Sequence, residues 1–469
     1  MEREPDTITD EPATPTSGPT GSGLSTGSSS AGSGSAASGS TGPVALLRGV
    51  LDRPLASYYL LLAAAGMLLI IGLTMVFSAT SVEAYVEHGS AYVSIEKQAI
   101  SAALGLVAFW LFQRLPTTTY RSVARPALIF ALVLMVALDV LALLAQSKVL
   151  HDPTFGPIRA DELWLYIGPV QMQPAELAKI ALVIWVADVL VRKGRAAGRW
   201  RDLSRPLFPV ATLLFLLVGY NDLGTMLCLV VLFFGTLWAA GVRMRVFAGM
   251  ATVALTGALL LIYMPGNTYR QARLDAFTNP DGTLAAAGYQ ARAGMVAIAN
   301  GGWFGLGLGE GRTKWGYLPN GHNDFIFAVI AEELGVMGCL VVLGLFAVLV
   351  YTGFRIARRS TDRFRLLAAA GITTWLAGQA TINIAGVIGL MPITGLPLPL
   401  ISDGGSALVV TLAMIGMLAS FARAEPDAAR ALHARPPGKL MRLLWCPLPP
   451  LPRAGAPQRA AIPQRKSGT

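Results

Sequence analysis

From residue 56 to residue 423 the chain is a succession of long apolar runs broken by short polar, Arg-rich joints. A helix needs about 20 predominantly apolar residues to cross a bilayer. In lipid every backbone polar group must be paired inside its own segment, which leaves a helical bundle as the architecture for such runs. With 54% hydrophobic and only 14% charged residues, the chain is too apolar for an ordinary soluble domain. We therefore expect an all-α, polytopic membrane protein. Ten transmembrane helices can be read: Ser57–Ser78, Glu96–Leu115, Pro126–Gln146, Pro174–Val191, Leu207–Tyr220, Asp222–Ala240, Val246–Met264, Asp324–Gly353, Leu366–Leu390 and Ser402–Phe421. Leu207–Ala240 is ambiguous. The break Tyr220-Asn221-Asp222 splits it into two short helices, whereas one long tilted helix would give nine crossings.

Basic residues favour the split, because cationic loops stay in the cytoplasm. Arg114, Arg121 and Arg125, then Arg192 to Arg205, then Arg243 and Arg245, then Arg355 to Arg365 all fall on one side only if that stretch crosses twice. Both termini are then cytoplasmic. The large loop between the seventh and eighth helices, Pro265–Asn323, is then extracytoplasmic, as is Pro392–Ile401.

Residues 1–47 are Ser, Gly, Thr and Pro with few large apolar residues, and they read as a disordered cytoplasmic arm without a signal peptide. Residues 48–423 form the membrane domain. Residues 424–469 form a basic, Pro-rich cytoplasmic tail. The net charge is −4 over residues 1–45 and +7 over residues 422–469. A basic flank fits a cytoplasmic membrane surface, and its dilution by Pro and Ala speaks against nucleic acid. The three cysteines, Cys228, Cys339 and Cys446, imply neither a disulfide framework nor a Cys-based metal site.

Ionisable residues inside spans are costly and face a cavity or a partner. Glu176 and Lys179 share a helix face. They read either as a structural ion pair or as a polar lining for a charged lipid head group. Gln379 and Asn383 share a face four residues apart and suit interhelical hydrogen bonding. Asp222 precedes a helix and suits capping. Of Glu332 and Glu333, at least one must face the bundle interior.

The stretch from His322 to Gly335 starts polar and becomes an apolar helix, which puts Asp324 where a water-side loop meets a membrane span. A carboxylate there can cap the helix. Half dry and half wet, it can also have its pKa raised toward the range of a general base. The loop before it carries Arg270, Arg273 and Lys314. These are either solvated charges or the cations that recognise a diphosphate. The glycine run from Gly301 to Gly309 lacks a preceding strand and the Lys-Ser/Thr ending of a phosphate-binding loop.

Several motifs occur in a fixed order: Gln-Pro-Ala-Glu-Leu-Ala-Lys at 173–179, Asp-Leu-Gly-Thr at 222–225 and Gly-Tyr-Gln at 288–290. Leu-Pro-Asn-Gly-His-Asn-Asp-Phe-Ile-Phe-Ala at 318–328, Glu-Glu-Leu-Gly at 332–335 and Pro-Ile-Thr-Gly-Leu-Pro-Leu-Pro-Leu-Ile-Ser at 392–402 follow. In these, over about residues 53–423, the chain resembles the SEDS family (shape, elongation, division and sporulation), closest to its actinobacterial cell-division branch.

The resemblance implies a ten-helix fold and an inverting peptidoglycan glycosyltransferase that polymerises lipid II for the septal wall. It implies Asp324 as the catalytic residue. Substrate contacts are implied at Trp164, Gln173, Glu176, Lys179, Arg270, Arg273, Gln290, Lys314, His322, Thr394 and Ser402. It also implies a class B penicillin-binding transpeptidase and other divisome proteins as partners, at the bacterial plasma membrane. The residues require no cofactor, although a divalent cation, Mg or Mn, would suit the diphosphate. A lipid II flippase, a non-catalytic division scaffold and a lateral-wall or sporulation polymerase are the alternatives. The chain departs from the family pattern at Tyr220-Asn221, at Asp403, at Ala293-Gly294 and at Leu163. Asp403 adds a carboxylate on the active side without an assigned role.

Overall fold

The computed structural model describes residues 49, 53–146, 154–155, 158–161, 164–167, 170–194, 200–263, 268–279, 286–434, 438 and 447–451. The N-terminal arm and most of the basic tail, with Cys446, lie outside the described residues. Three helices open the fold: α1 (Ala56–His88), α2 (Val93–Phe112) and α3 (Thr117–Gln146). After four short strands come α4 (Pro174–Lys193), α5 (Trp200–Asn221), α6 (Leu223–Ala239) and α7 (Met244–Ile262). Two helices, α8 (Thr268–Thr278) and α9 (Ala286–Gly301), lie in the large loop. Then follow α10 (Ile326–Arg359), α11 (Arg363–Val387), α12 (Gly405–Arg423) and α13 (Pro426–Ala434). Among the described residues, five helices are long and apolar enough to cross a membrane: α1, α2, α3 as far as Leu141, α10 and α12.

The break expected after Tyr220 is present. Asp222 ends α5 and starts α6: its Oδ1 accepts from Thr225 N at 3.0 Å and its Oδ2 from Thr225 Oγ1 at 2.7 Å. Upstream, α5 bends at Arg205 (φ −113°, ψ 125°), because a residue before proline is pushed out of the helical region. The core lies where α4, α6, α11 and α12 meet, around the fully buried Trp375, Phe233 and Phe364. Helix α4 is buried continuously from Ala181 to Leu190, so it is a central helix enclosed by its neighbours. By contrast, α1, α2, α3 and α10 each present several exposed large apolar side chains. The joint between α10 and α13 is tied at Arg359, which reaches Glu425 at 3.3 Å and Asp427 at 2.8 Å, so the tail begins as an anchored helix. Farther on, Arg423 Nη2 donates to the Pro447 carbonyl at 3.1 Å.

The chain is not all-α. Between α3 and α4 lies a four-stranded antiparallel meander: β1 (Thr154–Phe155), β2 (Ile158–Asp161), β3 (Trp164–Ile167) and β4 (Val170–Met172). Asp161 faces Trp164 and Ile158 faces Ile167 across β2 and β3. Tyr166 faces Gln171 across β3 and β4, and Gln171 Nε2 donates to the Tyr166 hydroxyl at 3.3 Å. Aromatic and β-branched residues favour a pleated surface. Strands of two to four residues are too short for their alternation to stand out from a polar joint.

Candidate active site

Two segments without regular structure, 318–325 and 390–404, meet over the ends of α6, α8 and α11. Side chains from the helices stitch them together. Asn383 Nδ2 donates to the Asp324 carbonyl at 2.8 Å and to the Leu396 carbonyl at 2.7 Å. One turn earlier, Gln379 Nε2 donates to the Pro397 carbonyl at 2.8 Å. Ser402 Oγ donates to the Asn323 carbonyl and accepts from Leu398 N, both at 2.7 Å. Asp403 N donates to the His322 carbonyl at 3.1 Å. The polar face of α11 therefore serves loop backbone through its amide N–H groups, while Gln379 Oε1 also takes the expected interhelical bond, from Lys179 of α4 at 3.3 Å. Gly224 is part of the same packing: a Cβ there would lie 2.7 Å from the Thr394 carbonyl.

Beside this seam opens a cleft of about 480 Å³ whose wall includes Trp164, Gln173, Asp222, Arg273, Asn323, Thr394 and Asp403. A second cavity of about 420 Å³ shares Arg273, Met391 and Ile393 with it and continues past Arg292 and Met295. Arg273 thus stands between the two, its Nη1 donating to the Ile393 carbonyl at 3.3 Å. Asp324 follows the wall residue Asn323. It does not cap α10: the helix starts at Ile326, its N-cap is Phe325, and no side chain caps it. The residue is 8% exposed. Burial pushes its pKa above the ordinary value, the nearby Asp222 charge adds to that, and Arg273 and His322 oppose it. Asp403 is also pushed up by burial, with His322 and Lys97 acting the other way.

Of the residues expected to contact substrate, Trp164, Gln173, Arg273 and Thr394 share the cleft wall, with His322 two residues from Asp324. Others are held elsewhere. Glu176 and Lys179 form a buried ion pair of 2.6 Å, and Lys179 also donates to Gln379 Oε1 at 3.3 Å. They are packed in the bundle core and do not line the cleft. Gln290 Nε2 donates to the Pro319 carbonyl at 2.9 Å. Lys314 is turned to the Gly309 carbonyl. Neither belongs to the cleft wall, so Arg273 and Lys314 do not form one cationic site. Ser402 acts on backbone. Arg270 lies on α8, but its side chain is outside the described residues. Lys97, on α2, was not legible as a site residue, since a single Lys near a span end is ordinary.

Residues 58–426 match the FtsW/RodA/SpoVE family model, described as cell cycle protein. The chain belongs to that family. It is 40% identical over 400 residues to the probable peptidoglycan glycosyltransferase FtsW of Mycobacterium tuberculosis, covering 85% of this chain and 74% of the relative. Against the same-named protein of Aromatoleum aromaticum it is 35% identical over 370 residues, covering 76% and 86%. Among solved structures it resembles a chain from a peptidoglycan synthase complex described as coordinating polymerization and crosslinking. There the TM-score is 0.60 at 26% identity, covering 77% of this chain and 96% of that one. It also resembles the Rod shape determining protein RodA of Thermus thermophilus, with a TM-score of 0.54 at 25% identity, covering 78% and 96%. Family membership makes the five apolar helices those of a multi-pass membrane protein.

The donor set does not favour a resident metal. Among the described residues no three His, Cys, Asp or Glu side chains converge. Asp222, one of the two carboxylates in the cleft wall, accepts from Thr225 twice and from Gln173 Nε2 at 3.4 Å.

Proposed function

We propose that the chain is a peptidoglycan glycosyltransferase that polymerises lipid II, with Asp324 as its general base. The observation that carries the residue assignment is a buried Asp without a capping role, one residue from the wall of a cleft that an arginine also lines. The reaction is an inverting transfer. A lipid II molecule offers its GlcNAc 4-hydroxyl as acceptor, and the growing strand on undecaprenyl diphosphate is the donor at MurNAc C1. Asp324 removes the hydroxyl proton as the new C–O bond forms. Burial favours this role, because a base works best with a pKa near the operating pH. Arg273 stabilises the diphosphate as its bond to C1 breaks, since a fixed guanidinium meets developing phosphate charge in a dry site. Two adjoining cavities suit a reaction with two lipid-linked partners. No step is routed through a metal.

In this reading the membrane domain spans residues 48–423, between a cytoplasmic arm of residues 1–47 and a cytoplasmic tail of residues 424–469. Ten crossings put both termini in the cytoplasm and the Asp324 cleft outside. A helix over each of the ten apolar runs supports that count. The partner is a class B penicillin-binding transpeptidase, and the place is the division septum. The likeness to a chain of a peptidoglycan synthase complex supports the partner class. The buried polar residues weigh against the flippase alternative. Glu176, Lys179, Gln379 and Asn383 are buried and bond each other and loop carbonyls, which favours a structural role over lining a transport pathway.

The deciding experiment incubates the purified protein and its transpeptidase partner with labelled lipid II. Glycan ladders are expected. Leaflet transfer of lipid II without ladders would overturn the polymerase reading in favour of a flippase.

A further inference from the structure

Helix α10 is broken at Gly335 (φ 67°, ψ −168°), a backbone region open essentially to glycine alone. The glycine run fills the break. Leu306 N donates to the Glu332 carbonyl and Gly307 N to the Glu333 carbonyl, each at 3.0 Å. In return, Val336 N donates to the Gly302 carbonyl at 3.0 Å and Met337 N to the Trp303 carbonyl at 3.2 Å. The two buried carboxyl groups complete the clasp. Glu333 accepts from Gly309 N at 3.1 Å, and Glu332 accepts from Arg312 N at 3.1 Å.

This clasp fixes the depth of the loop. Glu333 is seven residues past Ile326, the first residue of α10. At ~1.5 Å per residue the loop is bound about 10 Å below the helix start. Irregular backbone is tolerated at that depth only if its polar groups are paired, and here loop and helix break pair each other. Within residues 302–308 the outward side chains are all apolar: Trp303 is 65% exposed, Phe304 81%, Leu306 42% and Leu308 55%. They continue the exposed face of α10 at Val336, Met337, Leu340 and Val341. Trp315 and Tyr317, aromatics with polar tips, are exposed just beyond, as in the belts at membrane interfaces.

We propose that residues 302–308 are a re-entrant segment whose Trp, Phe and Leu side chains sit in the lipid of the cleft-side leaflet. The occupant of this surface is acyl chain, because the surface is continuous with the lipid-facing strip of α10. The assignment rests on the reading of α10 as a membrane span.

The test uses the full-length protein with Cys228, Cys339 and Cys446 changed to Ala, carrying one new cysteine labelled with the fluorophore NBD. Phe304→Cys reports the loop, Leu340→Cys the span and Glu310→Cys the water side. Each is reconstituted in phosphatidylglycerol and phosphatidylcholine vesicles with spin-labelled lipid or aqueous iodide as quencher. Phe304→Cys is expected to lose emission to spin-labelled lipid as Leu340→Cys does and to resist iodide, while Glu310→Cys loses emission to iodide. Iodide quenching at Phe304→Cys with lipid quenching intact at Leu340→Cys overturns the re-entrant segment alone. Iodide quenching at both overturns α10 as a span. Shielding of Phe304→Cys from both quenchers means that protein covers the surface, which overturns lipid as its occupant. If Phe304→Cys does not fold, Leu308→Cys gives the same reading.

Discussion

Asp324 and Glu333 are nine residues apart in one stretch, both buried acidic residues at 8% and 1% exposure, yet their surroundings differ completely. Glu333 accepts from Ser78 Oγ at 2.7 and 2.8 Å and from Gly309 N at 3.1 Å. It is consumed in holding α1, the glycine run and the broken α10 together. Asp324 neither caps its helix nor takes part in the seam through its side chain. The seam uses its carbonyl, and the carboxyl feels the charges of Arg273 and Asp222, two residues of the cleft wall. The Glu176–Lys179 pair resembles Glu333, since a charge partner occupies it inside the core. Burial alone therefore does not mark a catalytic carboxyl. A neighbouring cavity and the lack of a capping role are what set Asp324 apart, and on them rests our proposal that it is the base.

The largest test of this contrast is Asp324→Asn. Shape and most hydrogen bonding persist while the base is lost, so glycan synthesis should fall by about 10²–10⁴-fold. Insertion and partner binding should remain. Ladders at near-normal rates from the folded variant would falsify Asp324 as the base and shift attention to Asp403. The wild type should show a matching acid limb. With its pKa raised by burial, the base is protonated, and activity lost, at a higher pH than for an ordinary Asp. A rate profile flat down to the ordinary carboxylate range would contradict this.

Next in size is Arg273→Ala. A hydrogen bond to a charged group contributes about 1.5–3 kcal/mol, which converts to roughly 10–150-fold in kcat/KM. Lys314→Ala sharpens the comparison, because Lys314 faces the Gly309 carbonyl rather than the cleft. Its effect should be confined to thermal stability. Equal losses of kcat/KM in the two variants would mean that Lys314 reaches the diphosphate after all.

Glu333→Ala should do the reverse of Asp324→Asn. It strands the Ser78 hydroxyl and the Gly309 N–H, and a buried polar group left unpaired costs about 1–3 kcal/mol. Detergent-solubilised protein should melt lower, with activity per folded molecule preserved. An unchanged Tm would show that water reaches the clasp.

Much of this was legible in the residues. The apolar runs located the helices, and Tyr220-Asn221-Asp222 marked the break, because Asp222 has no better use than capping there. The proximity of 322–324 to 392–403 could be suspected only from motifs, since nothing local in either segment says that Ser402 bonds the Asn323 carbonyl. The glycine run was read by what it lacks. Its purpose depends on Gly335, a backbone break some thirty residues away that an apolar helix pattern conceals. Side-chain direction was also hidden. Lys314 and Arg273 belong to one loop, but short-range bonding sends one to Gly309 and the other to the cleft.

The smallest effect concerns stability at Asp324 itself. Its folded-state pKa is raised above the unfolded value by desolvation. Between those two values the native state holds a proton that the unfolded chain releases, so stability falls as pH rises through that window. Above it, the wild type carries a buried charge that the fold disfavours. Asn carries none and keeps the neutral hydrogen bonding. Asp324→Asn should therefore melt slightly higher than wild type at alkaline pH, with the difference shrinking below the ordinary Asp range, where both are neutral. A carboxyl with a structural duty behaves oppositely: its replacement lowers Tm at alkaline pH, as Glu333 should on losing its partners. Thermal melts of both variants across pH thus separate a group kept for chemistry from one kept for the fold, independently of any activity assay. If Asp324→Asn melted below wild type at every pH, its carboxyl would be holding structure, and the contrast with Glu333 would fail.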